Sequence, residues 1–353
     1  MMYDISAEFI RKILNNDAPQ FLEELAQESY RLTRQYFGRT ISLYAPLYLS
    51  NFCSSECTYC GFKSKNRIKR FKLTPEQMHQ EMRYLANEGI ENVLLLTGES
   101  YNVTPLPYLK EAVDVAKQYF PSIALEVHPM ESAEYLELFE HGVDGITVYQ
   151  ETYDRKRYSE VHLSGTKADY DFRYGTPQRA AQGGMRHIAM GILLGLGHDT
   201  AEDLCALYTH LRLMEKNYPG VEYSLSFPRF QPIKGIDFTN SYVDDRIFIK
   251  IICLTRILFP RVGINLSTRE KPELRNHALE LGITRMSAGS NTSVGGYTLK
   301  SPPEQDPQFD IEDNRSVADI IKFLKHQHFD PVFTDWRRIE NKISPLGFKD
   351  NNG

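Results

Sequence analysis

Short apolar runs of β type alternate with amphipathic helical patterns along most of this 353-residue chain. Each run is separated from the next by a segment of helical spacing, which is the pattern of parallel strands joined by helices. Eight such units predict an α/β fold, a (β/α)8 barrel of the TIM type, with functional side chains where the strands end. An open six-stranded barrel with two appended strands fits the same pattern. The predicted strands are Leu43–Leu49, Asn92–Thr97, Ile123–His128, Gly145–Gln150, His187–Ile192, Glu222–Phe227, Gly263–Ser267 and Thr284–Ala288.

The segment after the first predicted strand carries the clearest helix signals. Thr74 is a good N-cap, Pro75 suits the first helical position, and Gln77 can complete a capping box. Gly89 is free to take the left-handed conformation that ends a helix. We therefore predict a helix that begins after Thr74 and ends before Gly89.

Three of the five cysteines lie within eight residues, in a polar loop that directly follows the first predicted strand. Cys53, Cys57 and Cys60 have the spacing Cys-x3-Cys-x2-Cys, and three thiolates this close can bind three corners of one [4Fe–4S] cubane. The fourth iron is then open to an exchangeable ligand. A closed structural zinc site needs four ligands, and the next Cys or His is His79, inside the predicted helix. The spacing therefore predicts an iron–sulfur cluster rather than zinc.

The remaining sequence is free of repeats and low-complexity tracts. We expect a helical segment over residues 1–40, the barrel over residues 41–290 and a C-terminal cap over residues 291–353. The isolated Cys205 and Cys253 lie in helical patterns and are expected to be buried, inert thiols. A net charge of −5 gives no basic field for nucleic acid, and no apolar run approaches the ~18 residues that span a bilayer. Because the N-terminus also lacks a signal-peptide pattern, the predicted location is the cytoplasm.

Aromatic Tyr59 precedes the last cysteine of the triad, and this motif resembles that of the radical S-adenosylmethionine (SAM) superfamily. The resemblance implies that the open iron chelates the amino and carboxylate groups of SAM. One-electron transfer then breaks a C–S bond of SAM and gives a 5′-deoxyadenosyl radical. It also implies the kind of barrel that radical SAM enzymes share.

Residues at the ends of the second and fifth predicted strands match the SAM site of this superfamily in part. Thr97-Gly98-Glu99 resembles a Gly-Gly-Glu motif that orients the SAM amino group, with Thr97 in place of the first glycine. Gly195 lies in a glycine-rich end of the fifth strand, where the backbone can approach a ligand such as adenine. A polar turn at Thr97 and a simple strand-to-helix turn at Gly195 are the structural alternatives.

Three further charged residues are candidates for holding SAM. Glu126 ends the third strand between apolar neighbours, where an unpaired carboxylate is costly to bury, so we expect it at the barrel mouth, toward the SAM ribose or amine. Related enzymes place an acid and an arginine near Glu151 and Arg173 to hold the amino and carboxylate groups of SAM. The planar guanidinium of arginine suits a carboxylate because it pairs with both oxygens. An ordinary surface salt bridge is the alternative for Arg173.

Arg269 and Ser287 lie at the ends of the seventh and eighth predicted strands. A cation at the barrel mouth is expected to hold a substrate carboxylate, so Arg269 is the candidate clamp and Ser287 a hydrogen-bonding partner beside it. The basic run Lys63–Arg70 follows the cysteine loop. It forms either a solvated surface or a docking site for an acidic reductant, flavodoxin or ferredoxin.

Segments well beyond the cysteines resemble the 2-iminoacetate synthase (tyrosine lyase) family of bacterial thiamine thiazole biosynthesis. The resemblance implies cleavage of the Cα–Cβ bond of L-tyrosine to 2-iminoacetate (dehydroglycine) and p-cresol, with 5′-deoxyadenosine and methionine formed from SAM. It also implies thiazole synthase as the partner that consumes the imine. The matching segments are Pro46–Phe62, Asn66–Arg70, Leu95–Glu99, Val148–Tyr153, Thr176–Arg179, Tyr223–Arg229, Leu266–Glu270, Gly295–Tyr297 and Asp335-Trp336.

Three alternatives differ from this prediction in substrate or in class. A related lyase acting on tryptophan has a similar organisation. The tyrosine lyase of hydrogenase maturation has an extra C-terminal domain whose cysteines bind a second cluster, whereas here no cysteine follows Cys253. A non-enzymatic iron–sulfur electron carrier needs neither an open iron nor polar residues at many strand ends.

Overall fold

The chain folds as a closed barrel of eight parallel strands, described by a computed structural model for residues 5–230, 242–299 and 307–334. The strand order is β2-β3-β4-β5-β6-β7-β8-β1, and β1 also pairs with β2, which closes the barrel. In the described residues the strands are β1 Thr40–Ser50, β2 Asn92–Thr97, β3 Ser122–Glu126, β4 Gly145–Glu151, β5 His187–Ile192, β6 Glu222–Ser226, β7 Gly263–Leu266, β8 Arg285–Ser287 and β9 Asp330–Val332.

Helices lie between the barrel strands and at both ends of the described chain. The helices are α1 Ala7–Leu14, α2 Pro19–Phe37, α3 Pro75–Asn87, α4 Leu106–Ala116, α5 Ser132–His141, α6 Arg155–Val161, α7 Tyr170–Tyr174, α8 Thr176–Gln182, α9 Thr200–Asn217, α10 Asp245–Leu258, α11 Pro272–Ala278 and α12 Val317–His326. No helix in these ranges is long and apolar enough to cross a membrane.

All eight predicted strands are present, and closure of the barrel confirms the (β/α)8 prediction over the open six-stranded alternative. The ninth strand, β9, was not predicted. β9 pairs in parallel with the first residues of β1. The middle of β1 pairs with β8, and the end of β1 pairs with β2. A run of three residues that includes Pro331 is too short to show a strand pattern in sequence.

The predicted helix after the first strand is confirmed as α3. The backbone N–H of Gln77 donates to Thr74 Oγ1 at 3.4 Å, and the N–H of Thr74 donates to Gln77 Oε1 at 2.9 Å, which completes the capping box. Gly89 has a φ of 88° after the helix end, as its position predicted. Met78 and Met82 are fully buried, so the apolar face of α3 packs on the barrel.

Segments at both ends of the chain join the barrel core. The predicted N-terminal helical segment contains α1 and α2, which pack against α9 and α10. Val294 and Leu324, beyond the eighth strand, are buried in the same apolar cluster as the barrel strands. Cys253 is buried in α10 as expected, whereas Cys205 in α9 is only half-buried. Asp335-Trp336, one of the matching segments, lies outside the described residues.

Candidate active site

The loop that follows β1 brings the three clustered cysteines to one cavity at the carboxyl end of the barrel. Cys53, Cys57 and Cys60 all line this cavity, and Cys57 is buried. The loop is fixed by backbone hydrogen bonds to other parts of the barrel mouth. The N–H of Thr58 donates to the Val161 carbonyl at 2.9 Å, and Ser54 N–H donates to the backbone carbonyl of residue 99 at 2.8 Å. The three thiols therefore lie on a supported loop.

The chemistry of the three thiols fits an iron–sulfur cluster. Burial raises the pKa of Cys53 to about 11 and that of Cys57 well above its ordinary value, and the neighbouring thiols add to both shifts. Ionising these buried thiols is therefore unfavourable in the protein alone. Cationic iron would stabilise the thiolates and so make their ionisation favourable. Among the described residues, no group of three or more His, Cys, Asp or Glu side chains is arranged to hold one metal ion. A cubane does not require such convergence, because each thiolate binds a separate iron.

Arg70 and Gly98 hold the cysteine loop in place from two sides. The Arg70 guanidinium donates to the carbonyl oxygens of Asn51, Phe62 and Lys63 at 2.5, 2.8 and 2.6 Å. A Cβ at Gly98 would lie 2.3 Å from the Phe52 carbonyl oxygen, so the approach of the loop to the end of β2 requires glycine there. Arg70 therefore differs from the rest of the basic run, because its charge faces the loop backbone.

Glu99 and Arg173, both predicted for SAM, form an ion pair inside the cavity. Arg173 Nη1 lies 2.7 Å from Glu99 Oε1, and Arg173 Nε donates to the Tyr149 carbonyl at 2.6 Å. Burial disfavours ionised Glu99, but the charges of Arg173 and Lys167 outweigh it and lower the pKa of Glu99. This pairing contradicts the surface salt bridge considered for Arg173, since the two side chains are only 7% and 12% exposed.

Glu151 forms a second ion pair in the cavity, with a lysine that the sequence did not single out. Lys167 Nζ lies 2.6 Å from Glu151 Oε1. Glu151 has a φ of 70° at an irregularity in the β4–β5 pairing, a conformation that non-glycine residues rarely adopt. Burial and Arg173 disfavour the charge of Lys167, but Glu151 and Cys57 outweigh them and raise its pKa. Lys167 lies in the short 3-10 helix Thr166–Ala168, which is too short for a periodic pattern to mark it.

Thr97, at the end of β2, offers an unsatisfied hydroxyl at the position predicted to orient the SAM amino group. Thr97 lines the cavity, and its buried Oγ1 has no hydrogen-bond partner within the described part of the chain. Buried hydroxyls usually have a partner, so an orphaned one beside a cavity fits a polar ligand. The two ion pairs and this hydroxyl therefore fit the amino and carboxylate groups of SAM.

Tyr59 lines the same cavity and is oriented by a histidine that sequence reasoning missed. The buried His162 places Nδ1 at 2.9 Å from the Tyr158 carbonyl, so Nδ1 carries the proton and Nε2 accepts from the Tyr59 hydroxyl at 2.8 Å. Burial and the charges of Lys167 and Arg173 lower the pKa of His162 to about 2. His162 is therefore neutral, and it fixes the Tyr59 ring.

Arg269 and Ser287 line the side of the cavity formed by the last two barrel strands. The Arg269 guanidinium carbon lies 3.5 Å from the centroid of the Phe309 ring, which supports it by a cation–π contact. The hydroxyl of Ser287 accepts a hydrogen bond from the Thr268 backbone N–H at 3.1 Å. Ser287 thereby holds the turn that carries Arg269 and places its hydroxyl at the cavity.

Glu126 lies at the barrel mouth, and Gly195 lies in the turn after β5. Glu126 is the last residue of β3 and lines the cavity. Burial and the charge of Glu151 raise the pKa of Glu126 to about 7. Gly195 is not among the cavity-lining residues, and its φ of 88° shows that glycine is needed there for the turn after β5. This turn is the alternative considered above, so the proposed adenine contact of Gly195 finds no support in the geometry.

Comparisons with known proteins identify the family of the chain. The model of the radical SAM superfamily matches residues 47–211, and that of the Biotin and Thiamin Synthesis associated domain matches residues 226–330. The 2-iminoacetate synthase of Salmonella typhimurium is 38% identical over 332 residues, 94% of this chain and 88% of that protein. The 2-iminoacetate synthase of Escherichia coli is 39% identical over 324 residues, 92% of this chain and 85% of that protein.

A solved structure shows the same fold over most of the chain. The X-ray structure of the FeFe-hydrogenase maturase HydG from Carboxydothermus hydrogenoformans matches with a TM-score of 0.85 and 31% identity, covering 93% of this chain and 76% of that one. Identity to the two synthases is higher, and the match covers more of their length. The chain therefore belongs to the 2-iminoacetate synthase family of radical SAM enzymes.

Proposed function

We propose that this protein is a radical SAM lyase that cleaves the Cα–Cβ bond of L-tyrosine to 2-iminoacetate and p-cresol. The proposal depends on one observation. In this chain of the 2-iminoacetate synthase family, a single cavity is lined both by the cysteines proposed for the cluster and by the residues proposed to bind an amino acid. The cysteine triad lies on one side of the cavity, and Arg269 and Ser287 line the end of the last two barrel strands. SAM and an amino-acid substrate can therefore occupy neighbouring positions.

On the cofactor side, Cys53, Cys57 and Cys60 would hold a [4Fe–4S] cluster. When bound, the cluster supplies the electron that cleaves SAM to methionine and starts the radical chemistry. The Glu99–Arg173 pair would orient the amino and carboxylate groups of SAM by charge-assisted hydrogen bonds. Arg173 can do this without losing Glu99, because its bonds to described residues use Nε and Nη1 of five N–H donors.

On the substrate side, Arg269 would bind the tyrosine carboxylate. Its planar fork matches a carboxylate, and stacking on Phe309 restricts the rotation of the guanidinium before the substrate arrives. Ser287 would donate its hydroxyl hydrogen to the same carboxylate. The clamp therefore fixes the substrate by a group that every amino acid has, so the choice of tyrosine depends on contacts with the ring.

The direct test is anaerobic reconstitution of the cluster, followed by dithionite, SAM and either tyrosine or tryptophan. We expect 5′-deoxyadenosine and p-cresol with tyrosine. Absence of 5′-deoxyadenosine from a fully loaded cluster would reject the radical SAM assignment and favour the electron carrier. Formation of 5′-deoxyadenosine with product from tryptophan alone would reassign the enzyme to the tryptophan lyases.

We further propose that a cytoplasmic flavodoxin or ferredoxin reduces the cluster at the exposed part of the basic run. Lys65, Arg67 and Lys69 are exposed beside the cysteine loop, and opposed charge raises the rate of encounter with an acidic protein. Changing Lys63, Lys65 and Lys69 to Ser should slow reduction by flavodoxin and weaken its salt dependence. An unchanged rate would reject the docking surface. Arg70 is left out of this variant because it supports the loop.

We also propose that a thiazole synthase receives the imine product directly. 2-Iminoacetate hydrolyses readily in water, so release into bulk solvent would waste it. Adding thiazole synthase and its other substrates to the reaction should lower the yield of glyoxylate, the hydrolysis product, in proportion to thiazole formed. An equal glyoxylate yield with and without the partner would reject direct transfer.

A further inference from the structure

Glu126 differs from the other two acidic residues of the cavity in its contacts. Glu99 forms an ion pair with Arg173, with 2.7 Å between Oε1 and Nη1. Glu151 forms an ion pair with Lys167, with 2.6 Å between Oε1 and Nζ. The Glu126 carboxylate has no hydrogen bond or ion pair to any residue of the described ranges, although it lines the cavity. A carboxylate at such a position is expected to have a ligand as its partner.

The surroundings of Glu126 place it between the cofactor side and the substrate clamp. Its charge interacts with Lys167, which is near the cysteines, and with Arg269, the proposed clamp. Phenols on β1 and β4, those of Tyr48 and Tyr149, also respond to its charge. Glu126 therefore lies near residues proposed for SAM and near the proposed clamp, so a substrate whose carboxylate is on Arg269 can place its α-amino group toward it.

We propose that Glu126 is the general base that removes a proton from the α-ammonium group of the bound amino-acid substrate. This proposal rests on the proposed function, in which a hydrogen atom is taken from the substrate amine. The step converts –NH3⁺ and –COO⁻ to –NH2 and –COOH, so the N–H bond pair stays on nitrogen and the proton forms an O–H bond on Glu126. No electron is transferred in this step. It prepares the substrate, because a positively charged ammonium resists loss of a hydrogen atom.

The acid–base properties of Glu126 agree with this role. Burial is the main cause that raises the pKa of Glu126, and the negative charge of Glu151 adds to this effect. The positive charges of Lys167, Arg269 and Arg173 lower the pKa, and the net value is about 7. A base is effective when its pKa is near the working pH. Since the carboxylate form is the active one, activity should fall as the pH falls below about 7. The other titratable groups that its charge affects are Tyr44, Tyr48 and Tyr149.

The experiment separates this role from SAM binding, the role that the sequence predicted. Glu126→Gln removes the base and keeps the size of the side chain, and Glu126→Asp keeps the base but shortens its reach. Glu140→Gln, on the exposed face of α5, is the matched control. SAM affinity is measured by equilibrium dialysis of the reconstituted protein, and p-cresol and 5′-deoxyadenosine are measured from pH 6.5 to 9.

We expect Glu126→Gln to bind SAM within threefold of the wild type, roughly the scatter of such measurements, and to form p-cresol about 100-fold more slowly at pH 7. Its rate should rise about tenfold per pH unit, because the substrate amine then loses its proton to the solvent. Glu126→Asp should show a smaller loss at unchanged SAM affinity. Glu140→Gln should match the wild type.

Two results would overturn the proposal. Loss of SAM affinity in Glu126→Gln would assign the carboxylate to SAM, and a loss of p-cresol that does not recover at high pH would exclude a base. If Glu126→Gln fails to retain iron, Glu126→Asp tests the proposal instead. A p-cresol rate of Glu126→Asp equal to that of the wild type at every pH would also reject the proposal. Failure of the proposed function has a different signature, namely wild-type protein that forms 5′-deoxyadenosine but no p-cresol.

Discussion

Replacing Arg70 tests whether this residue supports the cysteine loop or serves the surface. Its guanidinium donates to three carbonyl oxygens of the segment around the cysteines, at 2.5 to 2.8 Å. A charged hydrogen bond contributes about 1.5–3 kcal/mol when it is buried. Arg70 is half-buried, so water can replace part of each bond, and we take about 1 kcal/mol per carbonyl. Arg70→Met should therefore favour opening of the loop by about 3 kcal/mol, which is about 100-fold in the equilibrium.

Hydrogen exchange of the metal-free protein, followed by mass spectrometry, measures this opening directly. The N–H of Ser64 donates to the Ser55 carbonyl at 2.9 Å, so its exchange reports on the loop. We expect exchange about 100-fold faster in Arg70→Met, with less iron bound after reconstitution. Arg67→Met, which removes an exposed charge from the same run, is the control. Equal exchange and equal iron content in the two variants would refute the structural role of Arg70.

Three further predictions follow from single contacts. Gly98→Ala places a Cβ 2.3 Å from the Phe52 carbonyl oxygen and should abolish iron binding with unchanged circular dichroism; normal iron content would contradict it. Asp313→Asn breaks a fully buried ion pair with Arg275 and should lower the free energy of unfolding by about 3 kcal/mol in urea titrations, and a loss below about 1 kcal/mol would contradict it. Arg269→Lys loses the planar fork and should raise the KM for tyrosine about tenfold with a smaller change in kcat, whereas an unchanged KM would remove the clamp.

The barrel could be predicted because its signals are local and repeated. Each strand is a short apolar run, and the run Asn92–Thr97 coincides with β2 at both ends. The cysteine motif is also local, since its spacing lies within one loop. Side chains at strand ends could be predicted from the strands, because a parallel barrel gathers all its carboxyl ends at one mouth. Glu99, Glu126 and Arg269 line the cavity for this reason.

The partners of Glu151 and Tyr59 could not be predicted, because Lys167 and His162 come from a segment with no periodic pattern. The segment that carries them turns back over the cysteines, and the Tyr59–His162 and Ser55–Lys167 contacts that fix it each join residues about 100 positions apart in the chain. Gly195 illustrates an ambiguity that the sequence cannot resolve. A glycine that the backbone requires for φ above zero looks the same in sequence as one that a ligand requires.

The charges of the cavity show why its three carboxylates are expected to have different ligands. A ligand can bind to an existing ion pair without breaking it, as long as the cation of the pair has N–H donors that are not yet used. The two ion pairs near Cys57 are of this kind, so they suit SAM, which brings both an ammonium and a carboxylate. Glu126 has no cation bonded to it in the described residues, yet it lies within the field of Arg269. The side of the cavity shared by Glu126 and Arg269 therefore presents one carboxylate and one guanidinium to a second amino acid, and a substrate bound there would give the Glu126 carboxylate a partner.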